Sequence, residues 1–122
     1  MKTINNEEVF DFRTASAWEK WLESHHQKSG GVWLRIAKKN SGETSVTITE
    51  ALDLALCYGW IDSQRKGLDE KYYLQRYSPR RSKSPWSQIN IEKTKILIKE
   101  DRMQPAGFQE IEKAKKDGRW NP

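Results

Sequence analysis

The sequence predicts a single α+β domain, in which about four helices pack on a small antiparallel sheet of about three strands. A chain of 122 residues is long enough for one domain with one hydrophobic core. Short alternating segments typical of strands are interspersed with longer segments whose apolar residues recur every three or four positions, as in helices. Hydrophobic residues make up only 35% of the chain, but six Trp, four Tyr and three Phe supply large surfaces to bury. We therefore expect one folded domain that spans residues 1–122.

The first half of the chain contains two predicted helices and one clear strand. A capping-box pattern, Ser16-x-x-Glu19, predicts the start of a helix whose apolar face is formed by Trp18, Trp21, Leu22 and His25. In residues 32–37, Val32, Leu34 and Ile36 occupy alternate positions, and the segment is rich in β-forming residues, which predicts a strand. The next helix is expected from about residue 49 to 58. Thr47-x-x-Glu50 provides its capping box, and Gly59 provides a left-handed C-cap.

The second half predicts a β-hairpin followed by two helices. Residues 60–66 and 71–77 are expected to pair across a turn at residues 67–70. Ser84-Pro85 reads as an N-cap followed by proline, so a helix is expected from there to about Glu100. Its inward residues are predicted to be Ile89, Ile96 and Leu97. A last helix is expected from Pro105 to Gly118.

Positive charge is concentrated in the centre of the chain. Residues 65–83 contain seven basic and two acidic side chains, so this segment alone equals the net charge of +5. Such asymmetry favours an anionic partner, either nucleic acid or a phosphate-bearing ligand. A solvated basic loop is the alternative, and a protein partner is a further hypothesis.

The basic segment contains the candidate anion-binding residues, which are Arg76, Arg80, Arg81, Lys83 and Ser84. If Ser84 caps a helix, the amides of the first helical turn lie beside these cations, a combination that binds anions. Nearby side chains are candidates for a pocket, namely Trp60, Asp62, Ser63, Tyr77 and Trp86. Tyr77 and Trp86 offer stacking surfaces, whereas Asp62 is a candidate base or ligand-orienting carboxylate. The alternative is that Trp86 packs in the core and Asp62 is structural.

Several classes of chemistry find little support in the sequence. His25 and His26 are adjacent, so they point in different directions on a helix and predict no metal site. Cys57 is the only cysteine, which excludes an intramolecular disulfide and favours a reducing compartment. The sequence shows no cofactor motif, signal peptide or membrane-spanning segment, so we predict a cytoplasmic protein without cofactor.

Among the possible functions, a non-enzymatic binding protein is favoured. The alternatives are an enzyme with a pocket around Asp62 and an interaction module with exposed tryptophans.

Four motifs, in their order and spacing, make the sequence similar to a known family. These are residues 56–63 (LCYGWIDS), residues 77–81 (YSPRR), Ser84-x-Trp86-Ser87-x-x-Asn90 and residues 117–120 (DGRW). The chain resembles the bacterial bacteriocin-protection, YdeI/OmpD-associated family from about Phe12 to Trp120. The resemblance implies a role in stress or bacteriocin tolerance, and it implies no particular reaction or catalytic residue. Relatives continue past the last motif, so we expect this chain to lack a C-terminal segment.

Overall fold

The computed structural model describes residues 3–122 as an α+β fold with four helices and a five-stranded sheet. The α+β prediction and the four helices are confirmed, and the sheet has more strands than the three expected. The elements in chain order are β1 (Thr3–Ile4), β2 (Glu7–Phe10), α1 (Ala15–His25), β3 (Val32–Ala37), α2 (Ile48–Cys57), β4 (Trp60–Gly67), β5 (Tyr72–Pro79), α3 (Gln88–Lys99) and α4 (Pro105–Asp117).

The strand order in the sheet is β1-β2-β3-β5-β4, and the sheet is mixed rather than purely antiparallel. The hairpin of β4 and β5 forms as predicted, and β5 also pairs antiparallel with β3. The parallel pair is β2 with β3, which was not expected. Strands β1 and β2 contain only two and four residues. The alternation of Phe10 and Phe12 suggests a short strand at this point of the sequence, and β2 ends at Phe10.

The hydrophobic core lies between the helices and one face of the sheet. Val32, Leu34 and Ile36 of β3 project into it, as their alternation predicts. Trp18 of α1 is fully buried, and its indole nitrogen donates a hydrogen bond to the carbonyl of Ala51 at the start of α2. Cys57 is buried in the same core as a free thiol, and burial raises its pKa to about 11. A neutral, inert thiol fits a packing role.

Most of the predicted helix ends are confirmed. Thr47 and Glu50 form the capping box of α2, with both reciprocal hydrogen bonds present. Gly59 follows α2 with a φ of +76°, and Gly118 ends α4 in the same left-handed region. Helix α1 begins slightly earlier than predicted, because Thr14 rather than Ser16 is its N-cap. These caps fix where each helix ends and hence where the loops that follow begin.

The prediction for α3 is wrong at its start and on its inward face. Its N-cap is Ser87, whose hydroxyl accepts from the amide of Asn90, so Ser84 does not cap a helix. The helix therefore starts three residues later than predicted. Its inward face consists of Ile91, Thr94 and Leu97. Of the predicted inward residues, Leu97 is buried, whereas Ile89 and Ile96 are 70% and 57% exposed.

Two further observations concern the helices. His25 was predicted on the apolar face of α1, but it is exposed and stacks on the ring of Trp21. Among residues 3–122, no helix has the length and apolar character needed to cross a membrane.

Candidate anion-binding site

Arg80 lies at the end of β5, where the turn after α2 fixes its backbone. Its amide donates a hydrogen bond to the carbonyl of Gly59 at 3.1 Å. Gly59 needs both its left-handed φ and its missing side chain, because a Cβ there would lie 2.8 Å from the carbonyl oxygen of Ala106 in α4. The turn after α2 therefore holds Arg80 next to α4.

The side chain of Arg80 is buried, with 8% of its surface exposed. Its Nη1 atom donates to the hydroxyl of Ser84 at 3.0 Å and to the carbonyl of Pro85 at 3.2 Å. The guanidinium carbon lies 3.6 Å from the centre of the Trp86 ring, so the two planes make a cation–π contact. Trp86 in turn packs edge-on against Trp120. These contacts fix one edge and one face of the guanidinium group.

The other edge of the Arg80 guanidinium has no hydrogen-bond partner in the part of the chain that the structure describes. Nε and Nη2 are both buried, and neither has a hydrogen-bond acceptor among residues 3–122. The N–H bonds of these two atoms lie side by side, and this fork binds two oxygens of a carboxylate or phosphate. Burial lowers the pKa of Arg80 to about 10, so the group is still charged at neutral pH. A buried cation with two free donors calls for an anion.

Arg80 lines a cleft of about 380 Å³ between the loop after β5 and helix α4. Five of the lining side chains are basic and two are acidic, for a net charge of +3. The lining residues are Arg80, Ser82, Lys83, Glu110, Lys113, Lys116, Asp117 and Arg119. We call this the Arg80 cleft. Its volume lies within the range of small-molecule sites in proteins.

Arg119 lines the Arg80 cleft and connects two segments of the chain. Its Nη1 atom donates to the carbonyl of Ser84 at 2.6 Å, and its Nε and Nη2 atoms both donate to one oxygen of Asp117. The chain after α4 is thus tied to the loop that contains Ser84 and Trp86. Three separate motifs of the sequence, around Arg80, Trp86 and Arg119, meet at this point.

The structure brings together only part of the predicted anion-binding set. Arg80 and Lys83 line the cleft, and Ser84 supports Arg80 from behind. Arg76 is elsewhere, because its Nε and Nη2 atoms donate to both carboxylate oxygens of Glu7 at 2.7 Å. Arg81 is exposed and lines a separate groove. Ser84 also loses its predicted role, since no helix begins there.

The predicted pocket residues do not form a common pocket. Trp60 and Tyr77 are core residues, and burial raises the pKa of the Tyr77 hydroxyl. Ser63 is exposed and accepts a hydrogen bond from Arg76. Asp62 is half-buried and lines neither of the two clefts that the basic loop forms. Trp86 is the exception, because its ring supports the Arg80 guanidinium.

Sequence reasoning missed the helix α4 side of the cleft. Glu110, Lys113 and Lys116 follow one another at three-residue spacing, so they lie on neighbouring parts of one helix face. That spacing was visible in the sequence. What it did not reveal is that this face packs beside the loop after β5.

Comparison with known proteins places the chain in a family. A domain of unknown function, DUF8412, matches residues 10–110, which cover most of the sequence. The chain belongs to this family. The part that matches DUF8412 includes Arg80 and Glu110, whereas Lys113, Lys116 and Arg119 lie beyond it. No curated protein and no solved structure matches the chain.

Proposed function

We propose that this protein is a non-enzymatic binding protein whose Arg80 cleft holds a small phosphate-bearing ligand. The observation that carries the proposal is the unpartnered Nε and Nη2 edge of a buried arginine. Natural proteins seldom bury a cation without a partner, because desolvation of the charge is costly. A phosphate that reached this edge would accept both hydrogen bonds and neutralise the charge. Because both nitrogens are buried, the side chains that cover them would have to move aside as the phosphate binds.

A small ligand accounts for this geometry better than nucleic acid does. Single-stranded nucleic acid is bound on exposed aromatic platforms, and duplexes are bound through extended basic surfaces. Among residues 3–122, no aromatic side chain lines the Arg80 cleft, and the Arg80 guanidinium covers one face of Trp86. Nucleic acid therefore becomes the outcome that an experiment should exclude.

Two other hypotheses receive less support from the geometry. An enzyme centred on Asp62 needs a concave site with a second polar group directed at the carboxylate, and Asp62 lines neither cleft beside the basic loop. An interaction module built on exposed tryptophans needs such residues at the surface. All six tryptophans lie in the described part of the chain, and each is buried or half-buried.

The wider role in this proposal comes from the resemblance to the YdeI/OmpD-associated family. We include a bacterial, cytoplasmic setting and a contribution to stress or bacteriocin tolerance. The buried free thiol of Cys57 is compatible with a reducing compartment. Ligand binding in the Arg80 cleft would then be the molecular event on which tolerance depends.

Isothermal titration calorimetry with inorganic phosphate and with ribose 5-phosphate tests the proposal. Wild-type protein should bind at least one of them, and Arg80→Met should abolish binding. Arg81→Met is the matched control, because Arg81 is exposed and outside the cleft, and it should bind like the wild type. Lys116→Ala provides a second variant at the rim and should weaken binding several-fold.

The contrary outcomes are equally specific. If neither phosphate compound binds, or if Arg80→Met binds normally, the proposal is wrong. Short oligonucleotides titrated over a salt series address the other partner class. Tight binding that weakens steeply with salt and requires Arg81 would identify an exposed nucleic-acid surface instead.

A further inference from the structure

We infer that the ligand of the Arg80 cleft is a small phosphomonoester that bears hydroxyl groups beside its phosphate, such as a pentose or polyol phosphate. This inference rests on the proposed function and narrows it to a chemical class. Three features of the cleft support it, namely its charge distribution, its carboxylates and its size.

The charges in the cleft are mixed rather than uniformly positive. Arg80 and Lys83 belong to the loop after β5, and Arg119 belongs to the chain after α4. Helix α4 contributes two lysines, Lys113 and Lys116, and two carboxylates, Glu110 and Asp117. A site for phosphate alone would gain nothing from two carboxylates, since like charges repel. Both carboxylates pair with cations of the cleft, and we take the oxygens that these pairs leave over as acceptors for hydroxyl groups of the ligand.

Each of these carboxylates has one oxygen left over. Oε2 of Glu110 accepts from Lys113 at 3.1 Å, and Oδ2 of Asp117 accepts from Arg119. No donor among residues 3–122 makes a hydrogen bond to Oε1 of Glu110 or to Oδ1 of Asp117. The Glu110 side chain is only 18% exposed, so its free oxygen is partly shielded from water. Ionised carboxylates accept strong hydrogen bonds from hydroxyl groups.

The size of the cleft limits how large the ligand is. A volume of about 380 Å³ holds roughly a dozen water-sized groups at about 30 Å³ each. A phosphate with a short chain or ring of hydroxylated carbons fills such a space. A nucleotide adds a base, which finds no aromatic side chain to stack on among the residues that line the cleft. The cleft therefore favours a sugar or polyol phosphate over a nucleotide.

Calorimetry with three probes tests this inference. Ribose 5-phosphate should bind roughly tenfold more tightly than inorganic phosphate, since a hydrogen bond to a charged group is worth about that factor. AMP should bind more weakly than ribose 5-phosphate. Glu110→Gln should bring the two affinities together, because it weakens the hydroxyl contact and removes a negative charge that repels phosphate.

A matched control separates the local effect of Glu110 from a general change of charge. Glu112→Gln changes a carboxylate on the exposed side of α4 that lies outside the cleft, and it should retain the wild-type preference. If inorganic phosphate binds as tightly as ribose 5-phosphate, or AMP binds best, the inferred class is wrong while the proposed function stands. If no probe binds, the proposed function itself fails.

Discussion

Arg76 lies within β5 and Arg80 directly follows that strand, yet the surroundings of these two arginines differ in one decisive respect. Arg76 directs its Nε and Nη2 edge at Glu7, and both hydrogen bonds are 2.7 Å long. Arg80 presents the same edge to no acceptor among the described residues, although it is the more deeply buried of the two. The Arg76 guanidinium group is fully hydrogen-bonded on this edge within the chain. Glu110 and Asp62 lie near enough to Arg80 to act on its charge, but neither accepts a hydrogen bond from its Nε and Nη2 edge.

The comparison distinguishes a structural arginine from a candidate binding arginine. The Glu7 pair joins β2 to β5, so Arg76 contributes to holding the sheet together. Arg80 is fixed by Ser84, Pro85 and Trp86, none of which neutralises its charge. Preorganisation of an unsatisfied charge costs stability, and proteins retain such features where they serve binding.

The largest expected effect comes from disturbing the backbone that holds Arg80. Gly59→Ala should lower the free energy of unfolding by about 3 kcal/mol, because alanine is strained at positive φ and its Cβ would clash with Ala106. Urea unfolding measures the change. Gly67→Ala is the control, since a Cβ there meets no atom within 4 Å, and it should change stability by less than about 0.5 kcal/mol. Equal stabilities for the two variants would contradict the close packing of Gly59.

Removal of the structural arginine, Arg76, should have the next largest effect on the free energy of unfolding. Arg76→Met should destabilise the protein by about 2 kcal/mol, because it leaves the mostly buried carboxylate of Glu7 without its partner. The same urea series provides the measurement. Arg81→Met, which removes an exposed charge, should be close to neutral. A neutral result for Arg76→Met would mean that the pair adds nothing to the fold.

Removal of the binding arginine, Arg80, should change the free energy of unfolding in the opposite direction. Arg80→Met should raise the free energy of unfolding by about 1 kcal/mol in the absence of ligand, because it removes a buried charge whose Nε and Nη2 donors have no acceptor among residues 3–122. The gain is reduced by the lost contact with Trp86 and the lost hydrogen bonds. If Arg80→Met destabilised the protein as much as Arg76→Met, Arg80 would be a structural residue and the comparison would fail.

The smallest effect is a dependence of stability on pH. The hydrogen bonds from Arg76 hold the pKa of Glu7 below its ordinary value of 4.5. The folded state therefore binds fewer protons than the unfolded state, and this contribution is present above pH 4.5 and is lost as the pH falls through the folded pKa. The free energies of unfolding of wild type and Glu7→Gln, measured with urea between neutral pH and pH 3, should converge as the pH falls. Parallel curves would show that Glu7 is not specifically stabilised as the anion.

The sequence predicted the scaffold well and the site only in part. Helix caps and the hairpin follow from local patterns, such as the Thr47–Glu50 capping box and Gly59, so they could be read directly. The basic loop was likewise identified from charge. The location of α4 depends on tertiary packing, which no local pattern encodes, so Glu110 and Lys116 were missed.

Ser84 illustrates the second kind of error. Ser84-Pro85 and Ser87 both fit an N-cap pattern, and only the packing of Trp86 against Arg80 and Trp120 decides between them. Ser84, which the sequence predicts to begin a helix, instead accepts a hydrogen bond from Arg80. Local chemistry allowed both outcomes, and long-range contacts selected one.

The most direct test of the central claim is to observe the two arginine side chains during one titration. NMR spectra of the arginine Nε–H groups are recorded as ribose 5-phosphate is added. They report on the Nε and Nη2 edges of Arg76 and Arg80 in the same experiment. The Arg80 resonance should move downfield as its Nε–H gains an acceptor, while the Arg76 resonance stays in place because Glu7 already occupies that edge. A stationary Arg80 resonance, or equal movement of both, would contradict the account.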